Sequence, residues 1–277
     1  MINPHSGHPL SVGFLSKSLW KHRQLISQMT RREVIGRYRG SVMGLAWSFL
    51  NPLLMLIVYT FVFGVVFKAR WGVAGGESKV DFAIVLFVGM IVHGLFAECI
   101  NRAPGLILSN VNYVKKVIFP LEILPVIAMG SALFHTLASM VVLLGVILFL
   151  GSGISWTILF FPMVIFPLLL STLGFAWFLA AMGVYMRDIG QITGMVTAVM
   201  MFLSPVFYPL SALPEKYQAW LQLNPLTFIM EEARQVIIFG NLPNFGGWSI
   251  YLLVSCMIAW LGFAWFQKTR KGFADVL

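Results

Sequence analysis

The chain has 277 residues, of which 59% are hydrophobic and only 10% charged, with a formal net charge of +9 and a mean hydropathy of +0.86. Soluble domains are about 45–50% apolar and about 25% charged, so this composition excludes a soluble globular protein, a disordered chain, a coiled coil and a collagen. Two cysteines, Cys99 and Cys256, both inside apolar runs, build neither a disulfide framework nor a metal cluster. An all-α integral membrane protein is expected.

Residues 1–44 precede the first apolar run and are basic. Phe14, Leu15, Leu19, Ile26 and Met29 recur at helical spacing among Lys21, Arg23 and Gln24. Such an amphipathic helix suits the interface of an anionic leaflet. Thr30-Arg31-Arg32-Glu33 fits a capping box, which predicts a second short helix over 31–39 ended by Gly40 and Gly44. A cleavable leader has a brief apolar region close to a charged start; none is read here, so the first span is expected to stay in the mature protein.

A helix needs about 20 mostly apolar residues to cross a bilayer. Runs of this kind occur at 45–67, 82–100, 123–150, 157–183, 189–210 and 248–267, which predicts six transmembrane helices. A β-barrel would alternate apolar and polar residues, and the run MVVLLGVILFL (140–150) does not. Six spans put both termini on one side. That side holds fourteen Lys and Arg against five (Lys68, Arg70, Lys79, Lys216 and Arg234) on the other, so the positive-inside rule makes both termini cytoplasmic. The net charge reflects this bias and is no sign of nucleic-acid binding.

Three connecting segments carry patterns of their own. In the 101–122 loop, Pro104 favours a helix start and Pro120 a stop, so a short helix over about 105–116 is expected against the alternative of a plain connector. Residues 211–247 form the longest external segment. Asn224-Pro225 opens a helix of about 14 residues with Leu226, Ile229, Ala233, Val236 and Ile237 on one stripe, Glu231, Glu232 and Arg234 mainly off it, and Gly240 as the stop. At about 21 Å it is too short to cross, so it lies on the outer surface or dips in and returns. The division is thus cytoplasmic interface helices (1–44), a membrane domain (45–267) and a cytoplasmic tail (268–277).

Ionisable groups in or beside spans are Glu98, Glu122, Asp188, His93 and His135. Groups at membrane depth are candidates for function, but Glu98 lies one turn from Arg102 and Asp188 adjoins Arg187, so simple pairing also accounts for them. There is no carboxylate cluster for a metal-dependent transferase and no G-x-x-x-x-G-K-[ST] phosphate loop; no catalytic residue, metal site or cofactor is assigned. Aromatics are abundant, with 24 Phe, 9 Trp and 7 Tyr. Tyr59, Phe63 and Phe67 share one face of the first span, as packing, as lipid-facing surface, or as a wall on which sugar rings stack. Asn51-Pro52, Pro205 and Pro209 favour kinks.

The segments RREVIGRYRGSVMGLAWSFLNPLLMLIVYTFVF (31–63), NYVKKVIFPLEILP (112–125), MRDIG (186–190), SPVFYPLSALPE (204–215) and LNPLTFIMEEARQVI (223–237) resemble, in order and over nearly the whole chain, the permease subunits of bacterial polysaccharide ABC exporters. These export O-antigen, capsule or teichoic-acid chains. The resemblance implies a homodimer resting on two separate ATP-binding subunits, which hold the ATP and Mg, and a glycan substrate on undecaprenyl diphosphate in the bacterial inner membrane. It implies a channel lined by the first and fifth spans, hence Tyr59, Phe63, Phe67, Phe202, Phe207 and Tyr208. It makes the 105–116 segment a coupling helix seated on the ATPase, with Asn112, Tyr113, Lys115 and Lys116 at the contact, and the 211–247 segment short re-entrant helices. Arg31, Arg32, Arg37 and Arg39 would then meet the lipid diphosphate or, alternatively, only anchor the leaflet. A secondary transporter or a membrane-embedded transferase on lipid-linked sugars is the alternative class.

Overall fold

Within hydrocarbon every backbone N–H and C=O must find its partner inside the protein, which a helix does along its own length. The computed structural model describes residues 10–67, 79–115, 119–150, 153–222 and 224–277, and the described residues form helices and turns with no strand. Among the described residues five helical stretches are long and apolar enough to cross a membrane: Gly44–Val66, Phe82–Arg102, Leu121–Phe149, Trp156–Tyr185 and Phe245–Val276. The sixth expected span, 189–210, is shorter than predicted. Its helix, Ile189–Leu203, has 15 residues, about 22 Å. Pro205 lacks an N–H and pushes the residue before it out of the α region, and Ser204 is extended (φ −103°, ψ 154°). The Asn224 side-chain amide then donates to the freed Leu203 carbonyl at 3.2 Å and to Ser204 Oγ at 2.9 Å.

The helices are α1 (Val12–Lys21), α2 (Arg23–Arg37), α3 (Trp47–Tyr59, continued by a π turn, Thr60–Val66), α4 (Lys79–Arg102), α5 (Gly105–Leu108), α6 (Val111–Lys115), α7 (Leu124–Phe149), α8 (Phe161–Tyr185), α9 (Ile189–Leu203), α10 (Glu215–Gln222), α11 (Thr227–Arg234, continued by a π turn, Gln235–Phe239), α12 (Phe245–Thr269) and α13 (Phe273–Val276). The interface segment breaks at His22 rather than at Thr30. Ser11 caps α1, accepting from the Phe14 N–H at 3.2 Å, and α2 runs straight through the predicted capping box. Thr30 packs instead of capping. Its side chain lies over Gly130 of α7, where a Cβ would come within 2.9 Å of it. Gly40 and Gly44 do end the segment, both at positive φ (+87° and +50°), a region other residues enter at a cost.

α4 is the central post. Nearly every described side chain from Phe82 to Ile100 is buried, and α3, α7, α8, α9 and α11 pack on it. α3 and α12 occupy opposite edges, α3 against α7 and α4, α12 against α8. The α8–α12 contact is close because of Gly174 and Gly262: a Cβ on Gly174 would run into the backbone of Ile258 and Ala259, and one on Gly262 into the backbone of Gly174. Small residues in facing positions are how membrane helices gain packing without a hydrophobic drive.

One end of the bundle is tied by Glu122, which is buried. Its carboxylate accepts from Ser18 of α1 and from Arg270 beyond α12, both at 2.8 Å, and its carbonyl accepts from Trp177 of α8 at 2.9 Å. The N-terminal helix, the start of α7 and the tail therefore share that end. The predicted 105–116 helix is two pieces, α5 and α6, split at Ser109–Asn110, where the Asn110 side chain donates to the Leu106 carbonyl at 2.8 Å in place of a continuing helical amide. At the other end, the stripe Leu226, Ile229, Ala233, Val236 and Ile237 is buried as expected. α11 reaches α4 and α8, and Asn224 Oδ1 accepts from the Leu226 N–H at 2.9 Å. Arg234 departs from the expectation: it is not off the stripe but fully buried.

Candidate functional site

Three of the singled-out sets lie in α2, α3 and the turns after α9, and the structure brings only some of them together. The aromatics converge. Phe63 is the hub, with ring-centroid distances of 6.4 Å to Tyr59, 5.7 Å to Phe67, 5.3 Å to Phe207 and 6.2 Å to Phe82; Phe202 stands 5.7 Å from Phe207. These lie within the range of favourable ring contacts. Two devices assemble the group: the π turn beginning at Thr60, whose hydroxyl donates to the Leu56 carbonyl at 2.7 Å, and the Ser204-Pro205 bend that swings Phe207 back toward α3. Tyr208 donates its hydroxyl to the Phe202 carbonyl at 2.8 Å. Phe82 closes the buried end at 2% exposure, while Phe67 and Phe202 are 67% and 65% exposed. A sequence reading misses Phe82, since only the fold sets the first turns of α4 beside α3.

The arginines do not converge. Arg31, Arg32 and Arg37 leave α2 in three directions, and Arg39 lies past its end. Arg32 donates to the Tyr113 hydroxyl at 3.4 Å and Arg37 to Glu98 at 2.6 Å. Glu98 accepts also from His135 Nδ1 at 3.0 Å, while the Tyr38 hydroxyl is 3.3 Å from the other ring nitrogen. Arg102, expected to pair with Glu98, is 3.8 Å from it and forms its closer ion pair with Glu33. This network of α2, α4 and α7 is the main polar feature that spacing alone does not yield, since its partners from different helices lie 37 to 97 positions apart. The one signal is that Glu98 and His135 interrupt uncharged runs.

Two cavities flank the network. One of about 230 Å³ is lined by Asn51, Tyr59, Glu98, His135 and Ser139, so it connects the charged group with the foot of the aromatic stack. The other, about 500 Å³, lies between α2, the end of α4 and α5, with Arg32, Arg102 and Asn110 on its wall. Beside it, Asn112 and Lys115 of α6 are exposed, whereas Tyr113 stacks on Phe119 at 4.4 Å. Lys116 lies outside the described residues.

Comparison with known proteins places this architecture. The pattern of the ABC-2 type transporter family matches residues 24–238. The chain belongs to the ABC-2 type transporter family. The match runs from α2 into the π turn after α11 and takes in the aromatic stack, the four arginines and the Glu98 network. An O-antigen export system permease protein of Myxococcus xanthus is 28% identical over 94% of this chain and 98% of its own length. A capsule polysaccharide export inner-membrane protein of Neisseria meningitidis is 24% identical over 92% and 95%, and the polysialic acid transport protein of Escherichia coli 21% over 87% and 91%.

In this ABC-2 type transporter the α11 segment has its own electrostatics. Arg234 donates to Glu231 at 2.8 Å and to the Val85 and Val206 carbonyls at 3.2 and 3.4 Å. Burial pushes its guanidinium down to about 10, opposed by Glu231. Burial raises the Glu232 carboxyl above the usual range, against the opposing bond from the Asn244 N–H at 2.8 Å.

Proposed function

We propose that this transporter is the membrane subunit of an ABC exporter that carries an undecaprenyl-diphosphate-linked O-antigen across the bacterial inner membrane, as a homodimer driven by two separate ATP-binding subunits. The observation that carries the reading is the end-to-end likeness to O-antigen export permeases. A capsular polysaccharide is the second cargo, favoured by the likeness to capsule exporters.

Both termini and α5–α6 face the cytoplasm in this reading, which the shared Glu122 knot supports. Asn112, Tyr113, Lys115 and Lys116 bear on the ATPase. Arg31, Arg32, Arg37 and Arg39 gather anionic lipid at the entrance, and Arg32 on the wall of the cavity beside α5 offers a cation to a diphosphate. Sugar rings then pass the stack of Tyr59, Phe63, Phe67, Phe202, Phe207 and Tyr208, whose flat apolar faces match theirs without fixing one sugar. ATP is hydrolysed by the partner; this chain converts the partner's closure into widening of the path.

The test is deletion and complementation in the native host, scored on surface polymer and on lipid-linked polymer retained inside. Loss of surface O-antigen with internal accumulation is expected. Loss of capsule alone would move the cargo to capsule, and normal levels of both would overturn the exporter reading.

A further inference from the structure

α8 and α12 touch at Gly174 and Gly262, and toward the start of α12 a groove of about 780 Å³ opens between them and α11. That volume is within the range of small-molecule sites. None of the six aromatic residues of the path described above lines the groove. Both sides mix apolar and polar groups: α8 and α12 present Phe175, Val254 and Ile258 beside Ser171 and Ser255, and the α10–α11 segment presents Phe228 beside Gln222, Thr227 and Glu231. Thr227 is 2% exposed and its buried hydroxyl has no hydrogen-bond partner among the described residues. A buried hydroxyl left so is destabilising, and a ligand oxygen would satisfy it. Glu231 is the charged group on the wall, and only one of its oxygens is engaged by Arg234.

We propose that this groove binds one phosphatidylethanolamine per chain. An acyl chain lies along Phe175, Val254 and Ile258, the Thr227 hydroxyl donates to an ester or phosphate oxygen, and the ammonium group meets the free Glu231 oxygen. A carboxylate at the rim disfavours an anionic headgroup, and a quaternary ammonium has no N–H to donate. The site thus selects ethanolamine over glycerol and choline lipids.

The experiment uses the purified full-length protein, delipidated in detergent, with thermal unfolding and native mass spectrometry after addition of phosphatidylethanolamine, phosphatidylglycerol or phosphatidylcholine. The ethanolamine lipid alone is expected to raise the midpoint and to remain as one bound molecule per chain. Val254→Trp, which fills the groove from an exposed position, should abolish both effects; Leu253→Trp, on the neighbouring lipid-facing position, should abolish neither. Glu231→Gln keeps an acceptor for Arg234 and should weaken binding about tenfold, as loss of one charged hydrogen bond does; Thr227→Val should weaken it as well. Equal effects of the three lipids, undiminished binding in Val254→Trp, or Glu231→Gln and Thr227→Val both binding like the wild type, would overturn the site.

Discussion

Arg234 lies directly over Gly89: a Cβ at position 89 would come within 2.7 Å of its Nη2 atom. The glycine leaves a notch in the central helix, and the guanidinium fills it while holding carbonyls of α4 and of the turn after α9. The α11 segment is thereby fastened to the post of the bundle. Arg234→Ala empties the notch and leaves the Val85 and Val206 carbonyls without this donor, and buried polar groups left unpaired cost about 1–3 kcal/mol each, so it should lower the thermal midpoint. Gly89→Ala should do so too, by displacing the same side chain. The double variant should fall short of the sum, with a coupling of about 0.5–3 kcal/mol; additive losses would show that the two sites act independently.

Glu232 gives a pH dependence of definite sign. Its folded-state pKa is raised, so the stability it contributes is complete below the unfolded carboxylate value, about 4.3, and is lost as pH rises through the higher folded value. Glu232→Gln keeps an acceptor for the Asn244 N–H and removes the buried charge. Its midpoint relative to wild type should therefore increase from about pH 4 to pH 8. A relative midpoint that falls over this interval would mean the charged form is the one the fold prefers.

Much of the fold is legible in the sequence where one side chain's period decides it. The α11 stripe from Leu226 to Ile237 and the turn at Gly40 and Gly44 are of this kind. What is not legible depends on a neighbour remote in the chain. Thr30 reads as a cap until Gly130 brings α7 beneath it, and Arg234 reads as exposed until Gly89 opens a notch for it. The candidate site divides the same way. The face shared by Tyr59, Phe63 and Phe67 follows from helical spacing, but Phe82 and the Glu98–His135 pair require the packing of α3, α4 and α7. The end of α9 is an intermediate case: Ser204-Pro205 signals it locally, yet the apolar residues beyond conceal it.

Asn112 and Lys115 are exposed on α6, so charge reversal there should leave the fold intact. Lys115→Glu is expected to reduce co-purification of the ATP-binding subunit, or to leave ATP hydrolysis running without export, with the permease's own thermal midpoint unchanged. Unaltered complex yield and export would remove α6 from the coupling contact.

Glu215 begins α10 and is exposed. In a background lacking Cys99 and Cys256, Glu215→Cys should react with a membrane-impermeant thiol reagent applied to intact inner-membrane spheroplasts. Reaction only after the inner face is opened would reverse the assigned orientation.

The aromatic stack separates a path from a packed core because its two ends differ in exposure. Truncating a buried ring such as Phe82 costs about 3–5 kcal/mol, so Phe82→Ala should deplete the protein whatever the stack is for. Phe67 and Phe202 are largely exposed, and a Phe67→Ala/Phe202→Ala variant should keep its abundance and its assembly with the ATPase. If sugar rings slide over these two faces, export in that variant should fall several-fold and lipid-linked polymer should accumulate inside the cell. If the rings only face lipid, export should be unchanged. If they are a dimer seam, the variant should instead lose its oligomeric state on size-exclusion chromatography. The stack is a path only under the first result, because it alone joins intact protein to a defect in moving sugar.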